Sequence, residues 1–424
     1  MITFLLKGLI RDRSRSLLPI IVVGAGAFLT VLCYSIVKGA VDDIIDSSAR
    51  FNTGHVKVMT RAYYEISDQL PNDLAILGVG KLIGKLRKDY PDITWTPRIK
   101  FGGLLDIPDK EGNTKTQGPV FGMGVDLFHS ATREKEILRL EKSIVRGRMP
   151  RKQDEILISD SFAKKLGVDI NEQATILSST MNGSMAIHNF TIAGTIHFGL
   201  NLLDMSTIIV DMNDIRRVLD MNDGAAEILG FSKNMLYSHK KMTQLAEEFN
   251  KKYAGNEDEY SPIMFSLGQI GEMADTIEIS NELASIVIII FVFAMSIVLW
   301  NAGLMNGIRR YGEIGVRLAM GEAKGRIYRL MIIEASAIGI IGSVIGTVIG
   351  LAGAYWFQYQ GLDFSSETQS SAILMSSIVR AHVTPTSYYI GFFPGLFASV
   401  LGTIFSGTGI YKRQTSQLFK ELEV

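Results

Sequence analysis

Apolar and charged positions are segregated along this chain rather than interleaved. Four stretches carry no Asp, Glu, Lys or Arg: Ser16–Val37, Leu283–Ile308, Ala335–Leu362 and Ala381–Tyr411. A helix needs roughly 20 apolar residues to cross a hydrocarbon core, so each stretch is long enough. The spans are assigned to 16–38, 283–308, 330–357 and 386–411. Basic residues precede the first stretch, as in a secretory signal. Its apolar run is too long for one, and no small-x-small cleavage site follows, so the reading is a retained span.

Between spans one and two the pattern changes. Residues 39–282 hold short alternating or β-rich runs at His55–Met59, Asp92–Ile99, Glu155–Ser159, Asn189–Ile196 and Ser206–Asp211. Gly80–Tyr90 and Thr243–Tyr253 read as helices, the second with Leu245 and Phe249 on one face. Turn residues gather in Asp106–Pro119, an expected exposed hairpin or loop. The stretch 119–203 reads as a strand-rich inserted subdomain. The predicted fold class is an α+β membrane protein: four transmembrane helices, with a large mixed α/β extracytoplasmic domain between spans one and two.

Charge sets the expected orientation. Lys7, Arg11, Arg13 and Arg15 precede span one. Arg309, Arg310, Arg317, Lys324, Arg326 and Arg329 separate spans two and three, and Lys412, Arg413 and Lys420 follow span four. The short loop 358–385 offers only Arg380. The positive-inside rule then places both termini and the 309–329 loop in the cytoplasm. Residues 39–282 carry a formal charge of −7, which does not oppose this, because long domains cross largely regardless of charge. The N-terminal 1–15, with Phe4, Leu5 and Leu9 set against Lys7 and Arg11, reads as an amphipathic elbow or as an ordinary basic flank. Residues 412–424 form a cytoplasmic tail. Cys33 is the only cysteine, which excludes an internal disulfide framework and a multi-Cys metal site.

Candidate chemistry is sparse. The stretch Gly78–Leu86 ("GVGKLIGKL") resembles a phosphate loop, but Leu82 and Leu86 stand where Ser or Thr would hold Mg²⁺. It reads as an amphipathic helix. The six histidines show no metal-ligand spacing, and no G-x-S-x-G elbow is present. No metal site, catalytic residue or nucleic-acid partner is expected. Gly342, Gly346 and Gly350 recur every four residues beside Ser343 and Thr347, a small-residue ridge that lets a helix of this chain, or of a second chain, approach closely. Pro394 is expected to kink span four.

The segment Arg309–Ala335 ("RRYGEIGVRLAMGEAKGRIYRLMIIEA") has helical pairs Ile314/Leu318 and Glu313/Arg317, then Gly321 where a left-handed helix end wants glycine. A second helix starts near Ala323. By itself this is an interfacial helix anchored to anionic lipid. Its order Glu-Ile-Gly-x-Arg-x-Ala-x-Gly, with Glu334 at the mouth of a Gly-rich span, resembles the FtsX/MacB-type permeases of ABC transporters. Met320 stands where Leu is common in that family. Gly147–Val168 is similar to an outer-domain stretch of the same family. Gly54–Glu65 is similar to the segment after the first span in the lipoprotein-releasing (LolC/LolE) branch.

The resemblance implies that Glu313, Ile314, Gly315, Arg317, Leu318, Ala319, Met320 and Gly321 form a coupling helix docked on a cytoplasmic ABC ATPase dimer. ATP and Mg would be bound there, with no cofactor and no enzyme activity in this chain. It also implies pairing with a second permease chain, a copy or a paralogue, in the bacterial inner membrane. Mechanotransmission would extract a lipoprotein from the outer leaflet and pass it to a periplasmic carrier. Phe28, Leu32, Phe291 and Phe293 are the expected lining of the substrate cavity. Alternatives are an efflux permease working with an adaptor, or a regulator of a cell-wall hydrolase, whose outer domain is usually much smaller. A membrane-tethered enzyme is a further class.

Overall fold

The computed structural model describes residues 13–109, 111–129, 132–253, 258–270, 316–363 and 378–412, together with 286, 289–291, 293–298, 300 and 301. The chain divides into two compact units. One comprises Met1–Asp42, Glu278–Leu362 and Val379–Val424; the other comprises Asp43–Ile277 and Asp363–Ile378.

The second, larger unit is built on β1 (Val56–Thr60), β2 (Ile76–Leu77), β3 (Ile93–Pro108), β4 (Thr114–Val125), β5 (Ile144–Gly147), β6 (Glu155–Ser159), β7 (Gln173–Ser179), β8 (Met185–Ile196), β9 (Thr207–Asp211), β10 (Gly224–Ala225), β11 (Glu227–Ser232) and β12 (Pro262–Ser266). Ten of these form one sheet, in the order β12-β1-β11-β3-β4-β9-β6-β8-β5, with β7 pairing both β3 and β8. The circuit β3-β4-β9-β6-β8-β7-β3 therefore closes on itself. Its pairs are antiparallel except β4–β9 and β6–β8. Closure leaves these six strands without a free edge along the circuit. Inward positions fill the interior with Ile99, Phe101, Leu105, Ile156, Ile158, Ile176, Phe190, Ile192 and Ile208. Gly122 lies opposite Phe101, and a methyl added there would come within 1.9 Å of the Phe101 ring. The expected strand-rich stretch 119–203 contributes most of β4 and all of β5–β8; β3 and β9 lie outside that range.

β3 is 16 residues long because it serves two assemblies. Its first half, Ile93–Arg98, pairs with β11, and Leu104–Asp106 pairs with β7. The antiparallel set β12-β1-β11-β3 packs one face on the helices Val79–Asp89 and His239–Tyr253 through Val56, Val58, Trp95, Ile228, Ile83, Leu86, Ala246 and Phe249. The first of these helices is the phosphate-loop lookalike. Its Gly80 amide already donates to the Asp223 carboxylate (3.0 Å), and Val79, Ile83 and Leu86 are buried. The turn-rich Asp106–Pro119 is a hairpin: Asp109 Oδ1 accepts from the Glu111 and Asn113 amides between β3 and β4.

Among the described residues, three helices are long and apolar enough to cross a membrane: Leu17–Thr53, Lys324–Gln360 and Ser387–Phe405. They answer to three of the four expected spans. The expected second span, 283–308, is described only in part, as the shorter apolar helix Ile289–Val298. The first helix, Arg13–Ser48, outruns the span expected to end at 38, with Lys38 and Asp42 paired one turn apart at 3.0 Å. Helix four is interrupted at Gly391. Pro394 has no N–H for the Ile390 carbonyl, so the ladder breaks there. The expected elbow 1–15, apart from residues 13–15, and the tail beyond 412 lie outside the described residues.

Candidate functional site

The linking segment is described from Val316. Val316–Ala319 is helical and ends at Gly321, whose φ of +89° favours glycine. The Gly321 amide donates to Leu318 O (3.0 Å) and the Glu322 amide to Arg317 O (3.0 Å). This reciprocal pair is a Schellman ending, as the position of Gly321 suggested. Ala323 in extended conformation then opens the Lys324–Gln360 helix, so the chain turns within two residues. Val316 and Met320, one turn apart, are 52% and 76% exposed. Arg317 and Leu318 are half-buried, and Ala319 is exposed. Glu313, Ile314 and Gly315 lie outside the described residues.

The glycine ridge packs inside this chain. Added methyls at Gly342, Gly346 and Gly350 would meet Val23, Gly24 O and Val31 at 2.8, 2.2 and 2.9 Å. Contacts advance together along both helices, so the first helix and Lys324–Gln360 run parallel. On the adjoining face a methyl at Gly339 would meet Ser399. Methyls at Gly395 and Gly391 would come 2.3 Å from Ser343 Oγ and 2.8 Å from Thr347 Oγ1. Here the order reverses, so the Phe392–Lys412 helix is antiparallel. Each hydroxyl faces a glycine, and the Ser343 and Thr347 hydroxyls are buried without a hydrogen-bond partner among the described residues. The loop after Val379 clasps the first helix: the His382 amide donates to Ser35 O (2.8 Å), and the His382 ring pairs with Asp42.

The four expected cavity residues do not converge. Phe28 lines an apolar groove of about 530 Å³ with Leu17, Ile20, Ile21, Ile345 and Ile349. Leu32 lies beside Phe28, both 3.6 Å from a methyl position on Gly353. Phe291 packs with Val23, Met295 and Ala398, and Phe293 is 67% exposed. The groove thus runs between the first helix and Lys324–Gln360.

The larger unit holds a charged core that the sequence did not reveal. After Ser48 the first helix ends in a π-helical turn, Ala49–Thr53, closed by Gly54. Arg98, fully buried, pairs with Glu134 through Nε (2.9 Å) and Nη2 (3.1 Å), while Thr96 donates to the same carboxylate (2.7 Å). Its third nitrogen donates to Arg50 O in the π turn. Beside it, Lys57 (2.7 Å) and Lys100 (3.1 Å) share Glu227, and Lys100 also donates to Asn52 Oδ1 (2.7 Å). Burial works against charge on Glu227, but Lys100 and Lys57 outweigh it and hold the carboxyl at about 2. Burial pulls Lys100 down to about 8, against the attraction of Glu227. Pairs this deep cost several kcal/mol if one partner is removed, and they fix one geometry. That geometry holds Arg50 and Asn52 on the sheet.

Residues 285–415 match the family described as FtsX-like permease C-terminal. Among curated proteins, the LolC transmembrane protein of the lipoprotein-releasing system from Xylella fastidiosa is 21% identical over 201 residues, 46% of this chain and 46% of its own. The macrolide export ATP-binding/permease protein MacB of Neisseria meningitidis is 28% identical over 166 residues, 38% of this chain and 25% of its own. The chain therefore spans about half the length of the LolC relative it matches, and less of MacB. Among solved structures, the periplasmic region of MacB from Actinobacillus actinomycetemcomitans aligns with 54% of this chain and 92% of its own, at TM-score 0.34 and 12% identity. Residues 285–415 are thus similar to the C-terminal part of FtsX-like permeases, the stretch that holds the linking turn and the glycine ridge.

Proposed function

We propose that the chain is the permease subunit of an ABC transporter, driven by a separate ATPase and moving lipoproteins out of the bacterial inner membrane. The observation that carries the ATPase contact is the Schellman-ended turn with Val316 and Met320 exposed at the foot of the Lys324–Gln360 helix. A tight, rigid projection with two apolar side chains is a shape that a protein groove can hold. The sequence has no phosphate loop of its own to supply the energy. Parallel first and third spans with an antiparallel fourth support the expected layout, both termini cytoplasmic. The LolC relatives favour lipoprotein release to a periplasmic carrier. The MacB relatives favour the second reading, efflux with an adaptor. A second permease chain would complete the cavity, with the apolar groove beside Phe28 as one wall.

Met320→Asp tests the contact, because its exposure means that folding does not depend on it. Co-purification from native membranes should lose the ATPase subunit by about tenfold or more, which corresponds to about 1.4 kcal/mol. Retention of the ATPase, with transport intact, would remove the coupling role. Lipids and proteins bound to the wild-type complex would separate lipoprotein release from efflux.

A further inference from the structure

A cavity of about 510 Å³ lies in the larger unit, on the outer side of the charged core, with Arg50 and Glu134 in its wall. Five basic residues line it: Arg50, Arg133, Lys135, Arg139 and Lys142. Of the three carboxylates in its wall, Glu134 is turned inward to Arg98 and Glu136 is held by Arg133 at 2.8 Å, which leaves Glu141. Arg50 and Arg139 also share Asp46, at 2.7 and 3.7 Å, so five basic groups stand against Asp46, Glu136 and Glu141 and cationic charge predominates at the opening. Phe128 and Met235 supply apolar surface beside it, Phe128 being 39% exposed.

Backbone conformation singles out the same place. Eight non-glycine residues among those described have positive φ, and four of them are Asp or Asn, which tolerate it. The other four are Leu70, Arg133, Arg139 and Met235, and three of these line this one cavity. Long side chains held in left-handed backbone are uncommon, and they concentrate where a fold aims side chains at a ligand. Arg133 and Arg139 each stand just before a one-turn helix, and both line the cavity. Arg50 is fixed from behind by Ile137 O (2.6 Å) and Asp46 (2.7 Å).

We infer that this cavity binds a phosphate-bearing anion, and specifically the head group of an anionic amphiphile whose tail lies on Phe128 and Met235. Guanidinium groups suit phosphate oxygens in bidentate geometry, and the adjacent apolar side chains suit an alkyl chain. The inference stands apart from the transport reading, since a lipoprotein anchor carries no phosphate.

The test uses the full chain in phosphatidylcholine nanodiscs with a photoreactive lysophosphatidylglycerol, and maps adducts by mass spectrometry. Adducts should fall on Phe128, Ile137 or Met235. Lys135→Gln with Lys142→Gln should reduce them at least tenfold at an unchanged melting midpoint, and Arg133→Gln serves as a second variant if that pair misfolds. A lysophosphatidylcholine probe should label less. Complete competition by millimolar inorganic phosphate would make the ligand a free anion and overturn the amphiphile assignment. Adducts elsewhere, or labelling indifferent to both variants, would overturn the site.

Discussion

His55 follows the π turn, and its Nδ1 accepts the Ser232 amide (3.1 Å) between the rings of Phe231 and Tyr237. Burial holds its imidazole neutral, with a pKa lowered to about 4. An unfolded chain takes up that proton near pH 6.5, so between 6.5 and 4 the unfolded state binds more protons and stability falls as pH falls. Glu227 extends the same trend from 4.5 to 2. The melting midpoint should therefore drop as pH is lowered from 6.5 to 4, with about 3 kcal/mol traceable to His55. His55→Gln should flatten that part of the profile in a thermal scan, and an unchanged slope would reject the assignment. None of this was legible beforehand. Lys57 in "HVKVM" and Arg98 and Lys100 in "TPRIK" alternate with apolar residues, which is how a solvated strand face reads. What covers that face is the end of the first helix and Glu134, both more than 30 residues from Arg98 and Lys100, and Glu227, 170 residues from Lys57.

Periodicity carried more at the scale of elements. Strands β6 and β9, the helix Thr243–Tyr253 within His239–Tyr253, and the hairpin at Asp106–Pro119 were all readable from local pattern. The four-residue spacing of Gly342, Gly346 and Gly350 marked a close-approach face, but spacing alone names no partner. Gly24 and Ala27 of the first helix supply it, a second small-residue pair inside a run that read only as apolar. Gly346→Leu should therefore cost about 1–3 kcal/mol or more, because the obstacle is the Gly24 carbonyl rather than a movable side chain. Reduced thermal stability in detergent would show it. Gly325→Ala, with open space around it near the start of the same helix, should be neutral or stabilising.

For the whole molecule, the segregation of charge leads to a labelling pattern. In a Cys33→Ala background, Met320→Cys should react with an impermeant maleimide only after the cells are opened. Met185→Cys, at a residue 75% exposed on β8, should react in intact cells. The reverse pattern would invert the orientation and remove the ATPase contact with it. Two compact units joined at several points of one chain were foreseeable from composition. The closing of six strands into a ring was not, since it depends on β7 meeting both β3 and β8 across long sequence separations. That ring has a mechanical corollary. β3 is one uninterrupted strand that belongs to the ring and to the neighbouring four-stranded layer, so neither can be sheared without dragging the other. A tug on Arg50 or Asn52, clipped to that strand by Arg98 and Lys100, is passed on as a tilt of the entire β assembly and not absorbed in a loop.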